Sequence, residues 1–327
     1  MAEVPWSEAD LPLLDEANVL LGPVTRRRRA GGRDLDGPSS WEREKVLAEM
    51  GDLDPQMRRD VLRHLEDLDP RSANGEEEGL ELWNRTFGHV VIDEAQDLSP
   101  MQLRMIGRRV PSGSLTIVGD LGQASGSWAP GSWDEVVAHL PSSDRRPARR
   151  AELTVNYRTP SEVMDVAARV LAVAAPHLTP SRSVRQAGLE PIFTAVDTDA
   201  ALDEAVVDAV RAERSAVPDG KVAVLTPPSM VERVRAALAS PGAGLGRGPE
   251  MLDSPLAVLP VQQAKGLEFD SVIVVEPAAI VAEHPHGWRA LYLALTRTTR
   301  RLRVVSAQPL PAGLEPSPVE EGSPPVS

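Results

Sequence analysis

Cysteine is missing from all 327 residues. Its absence excludes disulfides and thiolate metal sites and fits a reducing, cytoplasmic setting. Lysine is nearly missing too. Lys45, Lys221 and Lys265 are the only three, so arginine supplies almost all the positive charge. With heavy use of alanine, glycine and proline, this bias reads as a GC-rich coding sequence rather than a binding preference. Aromatic residues make up 3% of the chain, so an exposed tryptophan would be a costly choice without a partner. Negative charge exceeds positive, and the net charge of −13 argues against wrapping nucleic acid by bulk electrostatics. Any strand contact would need a local groove, while an acidic surface suits a basic protein partner. No run approaches the roughly 18 apolar residues of a spanning helix. The first residues, MAEVPWSEAD, carry neither the basic nor the apolar region of an export signal, so no membrane partner is expected. The histidines show no ligand-like pairing, and His284 and His286, in a Pro/Gly loop, read as solvated.

The chain is long enough for two compact domains, and its 42% apolar and 25% charged residues are ordinary for a globular protein. Residues 1–88 read as mostly helical. Asp10 is placed to cap a short helix to Leu20, and residues 23–40, with Arg26 to Arg29, read as a solvated loop. Asp54 and Pro55 open a second helix with Val61, Leu62, Leu65 and Leu68 on one face. From His89 the pattern becomes alternating strand and helix. Strands are predicted at 90–92, 115–118, 153–155, 191–196, 221–225, 256–261, 271–275 and 302–306. Helices are predicted from Pro100 to about 109, from about 160 to 175, and near 199–214, 229–239 and 286–300. Ser99 to Gln102 and Thr159 to Glu162 both read as capping boxes. Short strands alternating with longer helices predict an α/β fold with parallel sheets. The tail from Ala312, rich in Pro, Ser and Glu, is expected to be disordered.

The most informative run is His89 to Pro100, HVVIDEAQDLSP. A buried parallel strand ending in adjacent carboxylates is how nucleotide hydrolases hold Mg²⁺ and orient a water. Asp93 suits the metal, directly or through a water, and Glu94 suits the base. The bland alternative is two solvated acids in a turn. Gln123, after the next strand, is placed to sense a γ-phosphate or its attacking water. Yet no GxxxxGK[ST] string, whose amides would cradle the phosphates, occurs anywhere. The one Gly-Lys pair, Gly220-Lys221, runs into a strand, and Gly242 to Gly248 holds no lysine.

Five segments recur in the order and character of one family. They are VVIDEAQD, Ile117 to Gln123 (IVGDLGQ), Val155 to Arg158 (VNYR), Ala264 to Asp270 (AKGLEFD), and Leu291 to Arg297 (LYLALTR). Together they resemble motifs II to VI of the UvrD/Rep-like superfamily 1 helicases. The IDEAQDLSPMQ string, WAPGSW, and WSEADLPLLDEA resemble the HelD-like branch that associates with RNA polymerase. So does the short spacing between Arg158 and Lys265, which leaves no room for a large inserted domain. The resemblance implies a RecA-like P-loop NTPase fold, with ATP and Mg²⁺ as cofactors. It implies a helical segment at 1–88, a partial first lobe at 89–150, a complete second lobe at 151–311, and a tail at 312–327.

The same resemblance implies that Tyr157 stacks on the adenine and that Arg158 and Arg297 are arginine fingers, Arg297 inside a helix. It places Glu268 near the ribose and Gln96 among the nucleotide-contacting residues. Trp128, five residues after Gln123, matches the position where these helicases stack a base of single-stranded DNA. It could equally be buried against a domain interface. The tyrosine often found three residues after the glutamine is Gly126 here, which leaves strand grip weaker. Single-stranded DNA or another nucleic acid, RNA polymerase, and an N-terminal half carrying the phosphate loop are the implied partners. Alone, the chain is expected to bind ATP weakly and hydrolyse little. The rival expectation is a non-catalytic module that uses the helicase fold to engage RNA polymerase.

Overall fold

In the computed structural model, residues 7, 10–21, 85–141, 148–239, 244–246 and 253–315 are described. The expected loop at 23–40, the helix opening at Asp54, and the tail beyond 315 lie outside the described residues. The chain divides into two compact units. One comprises Met1–Val91, Met101–Thr116 and His139–Pro141; the other comprises Ile92–Pro100, Ile117–Ala138 and Ser142–Ser327.

In the first unit, helix α1 (Leu11–Leu21) turns its acids inward. Asp15 is fully buried and pairs with Arg108 and Arg109, while Glu16 pairs with Arg104 and Arg108. Asp10 does serve the helix start, but by reaching back to accept the N–H and O–H of Ser7, each at 2.8 Å. Strand β1 (Val90–Ile92) pairs with β2 (Leu115–Ile117), and helix α2 (Pro100–Arg108) connects them. Val90 N–H donates to Ser114 O and Val118 N–H to Ile92 O, a parallel ladder. The expected burial of β1 is only partly met. Ile92 is buried, but Val91 is 65% exposed. Each strand has one sheet partner among the described residues, so the alternating side chain of Val91 faces outward.

Along the second unit follow helix α3 (Trp133–Ala138), strand β3 (Val155–Asn156), helix α4 (Ser161–Ala174), and strand β4 (Arg182–Ser183). The third expected strand, at 153–155, is displaced. It forms at 155–156 and pairs in parallel with β4, apart from the main sheet. Asn156 ends it, because its Oδ1 accepts the N–H groups of Arg158 and Thr159 and turns the chain. That use of Thr159 also undoes the expected capping box. Glu162 instead accepts from the amides of Ala187 and Gly188, at 3.2 and 2.6 Å.

The main sheet contains β5 (Ile192–Ala195), β6 (Val222–Thr226), β7 (Leu256–Pro260), β8 (Phe269–Val275) and β9 (Thr298–Ser306). Its order is β5-β9-β8-β6-β7, and every pairing is parallel. Helices α5 (Asp199–Ala216), α6 (Val231–Ala237), α7 (Pro277–Glu283) and α8 (Gly287–Leu295) connect its strands. Strand residues divide cleanly by parity. Ala223, Leu225, Val272, Val274 and Val304 face α4 and α8; Val222, Val224, Ile273, Val275 and Val305 face α5 and α6. Burial on both faces explains why these strands read as continuous apolar runs, and it makes this a doubly wound α/β sheet.

Three further expectations change. The helix predicted to reach residue 300 stops at Leu295, and β9 begins at Thr298. Thr296 Oγ1 donates to the carbonyls of Tyr292 and Leu293, both at 3.1 Å, and the threonines after it favour extended backbone. Arg297 therefore sits in the link between helix and strand, not within the helix. His284 and His286 are half-buried rather than solvated, with His284 Nδ1 accepting the His286 N–H at 3.2 Å. Burial, then the neighbouring His286, pushes the His284 pKa down. Finally, the chain stays packed past Ala312: Leu314 is fully buried in the core, and Arg169 donates to the carbonyls of Gly313 and Glu315. Among the described residues, no helix is long and apolar enough to cross a membrane.

Candidate functional site

The site begins where β1 ends. Asp93 is exposed, and its Oδ1 accepts the Glu94 N–H at 2.8 Å. Glu94 is one of two non-glycine residues with positive φ among the described residues, at φ 50 and ψ 38. A left-handed conformation costs an L-residue roughly 1–2 kcal/mol, and such strain concentrates at functional positions. The other such residue, Glu276 at the end of β8, uses its carboxylate to accept the amides of Ala307 and Gln308. Among the described residues, Glu94 has no such backbone anchor. Its carboxylate is held by a side chain.

That side chain is Gln96, which is fully buried. Its Nε2 donates to Glu94 Oε2 at 2.6 Å, and its Oε1 accepts the Asp120 N–H at 3.1 Å. Gly119 makes room for it, because a Cβ there would lie 2.1 Å from Gln96 Oε1. Both ends of the Gln96 amide are engaged behind Glu94. This places it to orient the carboxylate.

From Asp120 the polar line continues. Asp120 Oδ1 accepts the Gly122 N–H and Oδ2 accepts Gln123 Nε2, both at 2.8 Å. Gln123 Oε1 accepts Arg297 Nη2 at 2.9 Å. Hydrogen bonds therefore run unbroken from Glu94 through Gln96, Asp120 and Gln123 to Arg297. Arg297 is only 5% exposed, and its Nε has no partner among the described residues. Burial pushes the guanidinium pKa down, while the charge of Glu94 pushes it up and that of Arg158 down again. Tyr292, buried beneath these residues, has its hydroxyl pKa raised, first by burial and then by Asp120.

The remaining predicted residues flank this line. Arg158 pairs with Glu268 at 2.5 Å, so two residues expected at a nucleotide contact each other. Gly266, two residues before Glu268, has φ 71, a left-handed conformation that favours glycine. Tyr157 is 75% exposed and Trp128 64% exposed. Of the two readings for Trp128, the structure displays the exposed one. Three residues of this site escaped sequence reasoning. Gly119 and Asp120 are visible only as part of IVGDLGQ, and no composition signal marks a glycine that admits a buried amide. Lys265 was visible only as the one lysine of AKGLEFD, but its ammonium pairs with Asp97 and donates to Gln123 O at 2.9 Å.

Chemically, the arrangement offers a held carboxylate, an amide, and two guanidinium groups, one of them taken out of water with a donor left over. A buried guanidinium with an unsatisfied N–H fits an anionic oxygen as its missing partner. For a metal, no group of three or more His, Asp or Glu assembles among the described residues. Mg²⁺ commonly takes one or two carboxylates and completes its shell with water and phosphate oxygens, so Asp93 fits that partial role.

Residues 48–131 match the model of the UvrD/REP helicase N-terminal domain, and residues 255–305 match that of the UvrD-like helicase C-terminal domain. No curated protein matches the chain. Among solved structures, the C-terminal domain of a possible DNA helicase from Lactobacillus plantarum WCFS1 is 25% identical, with a TM-score of 0.38. That match covers 48% of this chain and 91% of the other. The arterivirus nonstructural protein 10 helicase is 18% identical, with a TM-score of 0.35. It is matched over 68% of this chain, which spans 39% of that protein's length.

Proposed function

Two segments of this chain are UvrD/Rep-like, and its α/β parallel-sheet architecture is that of a RecA-like helicase fold; from this premise we propose that it supplies motifs II to VI of a superfamily 1 helicase-like ATPase. In this reading residues 151–311 act as the complete second lobe, residues 89–150 as part of the first, and residues 1–88 as a helical accessory segment. The observation that carries the reading is the hydrogen-bonded line from Glu94 to Arg297, ending in a buried guanidinium with a free donor.

Within that site, Glu94 orients the attacking water and accepts its proton, and Gln96 keeps its carboxylate aimed. Asp93 would hold Mg²⁺, which would supply positive charge against the phosphates. Gln123 contacts the water or the γ-phosphate. Arg297 and Arg158 bind phosphate oxygens as charge develops, which requires Arg158 to leave Glu268. Glu268 is then available to the ribose, and Tyr157 to the adenine ring. Trp128, exposed beyond Gln123, stacks on a base of a nucleic acid strand, an interaction contributing about 1–3 kcal/mol.

The phosphate cradle is taken to come from outside this sequence, which contains no GxxxxGK[ST] string. Steady-state hydrolysis by the chain alone is therefore expected near background and insensitive to Glu94→Gln. Rapid turnover abolished by Glu94→Gln would instead show that the chain builds a complete site. When a segment bearing the phosphate loop is supplied, Glu94→Gln should lower turnover by about 10²–10⁴-fold, the usual weight of a general base.

The HelD-like assignment, and RNA polymerase as partner, rest on the IDEAQDLSPMQ and WAPGSW strings. The acidic balance and the lack of a phosphate loop favour a second reading, a non-catalytic polymerase-binding module. Capture of RNA polymerase that survives both Glu94→Gln and Arg297→Ala would support it.

A further inference from the structure

We propose that Lys265 is a positioning residue, a single ammonium that sets Gln123 against Arg297. The inference rests on the nucleotide-site reading for its purpose, but its geometry stands alone. Lys265 follows a short helical turn, Val261–Ala264, at the end of β7. Gly266 next to it adopts φ 71, and the chain then enters β8. The ammonium leaves this edge of the main sheet and makes two contacts distant in sequence. It forms an ion pair with Asp97, in the turn that carries Glu94 and Gln96, and it donates to Gln123 O at 2.9 Å.

These contacts meet the polar line at two places, the turn that carries Glu94 and the backbone of Gln123. Asp97 closes the turn behind Glu94, its N–H donating to Glu94 O at 3.0 Å. Gln123 is gripped by its backbone at Lys265, while its side chain spans from Asp120 to Arg297. A glutamine side chain has three rotatable bonds, so a 2.9 Å contact to a buried guanidinium persists only if its backbone is fixed. Arg289 reinforces that fixing one residue on, donating to Ala124 O at 3.3 Å. The choice of lysine is informative in a chain that uses arginine almost everywhere else. A compact ammonium with rotatable donors serves a carboxylate and a carbonyl in different directions, whereas a planar guanidinium fork prefers one coplanar partner. The side chain is 17% exposed, so the pair is shielded more than a surface salt bridge.

A positioning role differs from a merely structural one in what it does to the Gln123–Arg297 coupling. The coupling is read from urea unfolding midpoints of the chain, Gln123→Ala, Arg297→Met, and the double variant, then again with Lys265→Met added to each. The expected result is a measurable coupling in the first set that vanishes in the second. Equal coupling in both sets overturns the proposal, because a structural lysine would shift all four midpoints alike. A second measurement guards against variants that do not fold. With only three lysines present, peptide-resolved amine labelling of the intact chain reports Lys265 beside the exposed Lys221. Lys265 should label more slowly than Lys221, and Asp97→Asn should speed it by about tenfold, as for losing one charge-assisted hydrogen bond. Labelling of Lys265 as fast as Lys221, or unchanged by Asp97→Asn, overturns the tether itself. Neither measurement uses nucleotide, so failure to bind ATP would sink the site reading and leave this one standing.

Discussion

Gly119→Ala is expected to cost about 2–4 kcal/mol of stability and to release the Glu94 carboxylate. The added methyl would lie 2.1 Å from Gln96 Oε1, 3.1 Å from Trp133 Cη2 and 3.2 Å from the Ala95 backbone nitrogen. A clash with the end of a side chain is often relieved by a rotamer change. Gln96 lacks that freedom, since it is fully buried and bonded at both ends of its amide. Overpacking of this kind costs roughly 1–3 kcal/mol, and each buried polar group left unpaired adds about 1–3. Gly126→Ala is the matched control, because a Cβ there meets nothing within 4 Å. Urea unfolding should separate the two variants clearly. Coincident midpoints would mean that Gln96 is not confined as described.

Glu213→Ala should be more damaging still, at about 3–5 kcal/mol, the range for removing one member of a buried charge cluster. The Glu213 carboxylate is buried where α5 packs on β8 and β9. Its Oε2 accepts Arg301 Nε at 2.6 Å and Ser271 Oγ at 2.9 Å; its Oε1 accepts Arg303 Nε and Nη2 at 3.1 and 3.0 Å. The two arginines alternate along β9 and so face the same carboxylate. Removing the acid strands both guanidinium groups, whereas replacing all three with apolar residues of similar volume should recover most of the loss. The pH dependence carries a definite sign. Burial alone would raise the Glu213 pKa, but hydrogen bonds from Arg301, Ser271 and Arg303 outweigh it and hold the group below 4.5. Its contribution is therefore fully present above 4.5 and drains away as pH falls below that value through the lowered folded-state pKa. In Glu213→Ala the acid limb of the stability profile should flatten by that share.

Much of the fold is legible in the sequence because burial writes itself into residue type. Strands buried on both faces, such as Val222 to Thr226, are unbroken apolar runs, and the helices between them alternate in the order expected of parallel sheets. What misleads is local side-chain chemistry. Thr296 returns its hydroxyl to the preceding turn and ends a helix that hydrophobic periodicity carries onward. Asn156 cuts a strand short by bonding to the chain ahead of it. Leu314 lies in a Pro/Ser/Glu-rich stretch that reads as unfolded, yet it fills the core.

The candidate site divides the same way. Glu94, Gln123 and Arg297 sit in dense motifs and are recoverable from sequence order. Gln96 sits in the same dense motif, but its bonds to Glu94 and Asp120 are not legible there, since spacing cannot tell a residue that faces a ligand from one that braces it. Lys265 and Gly119 act through distances across the fold, 142 residues from Gln123 in one case, and no local pattern encodes that.

The central claim is that the Glu94-to-Arg297 line is one side of a nucleotide triphosphate site. Equilibrium binding of ATP·Mg²⁺ to the chain, compared with Arg297→Ala, tests it most directly. The account predicts weak, saturable binding with a Kd of roughly 1 mM, about −4 kcal/mol. Arg297→Ala should weaken it by about tenfold or more, the share of one charge-assisted contact to phosphate. Binding absent at concentrations well above that range, or equally strong in Arg297→Ala, would contradict the account.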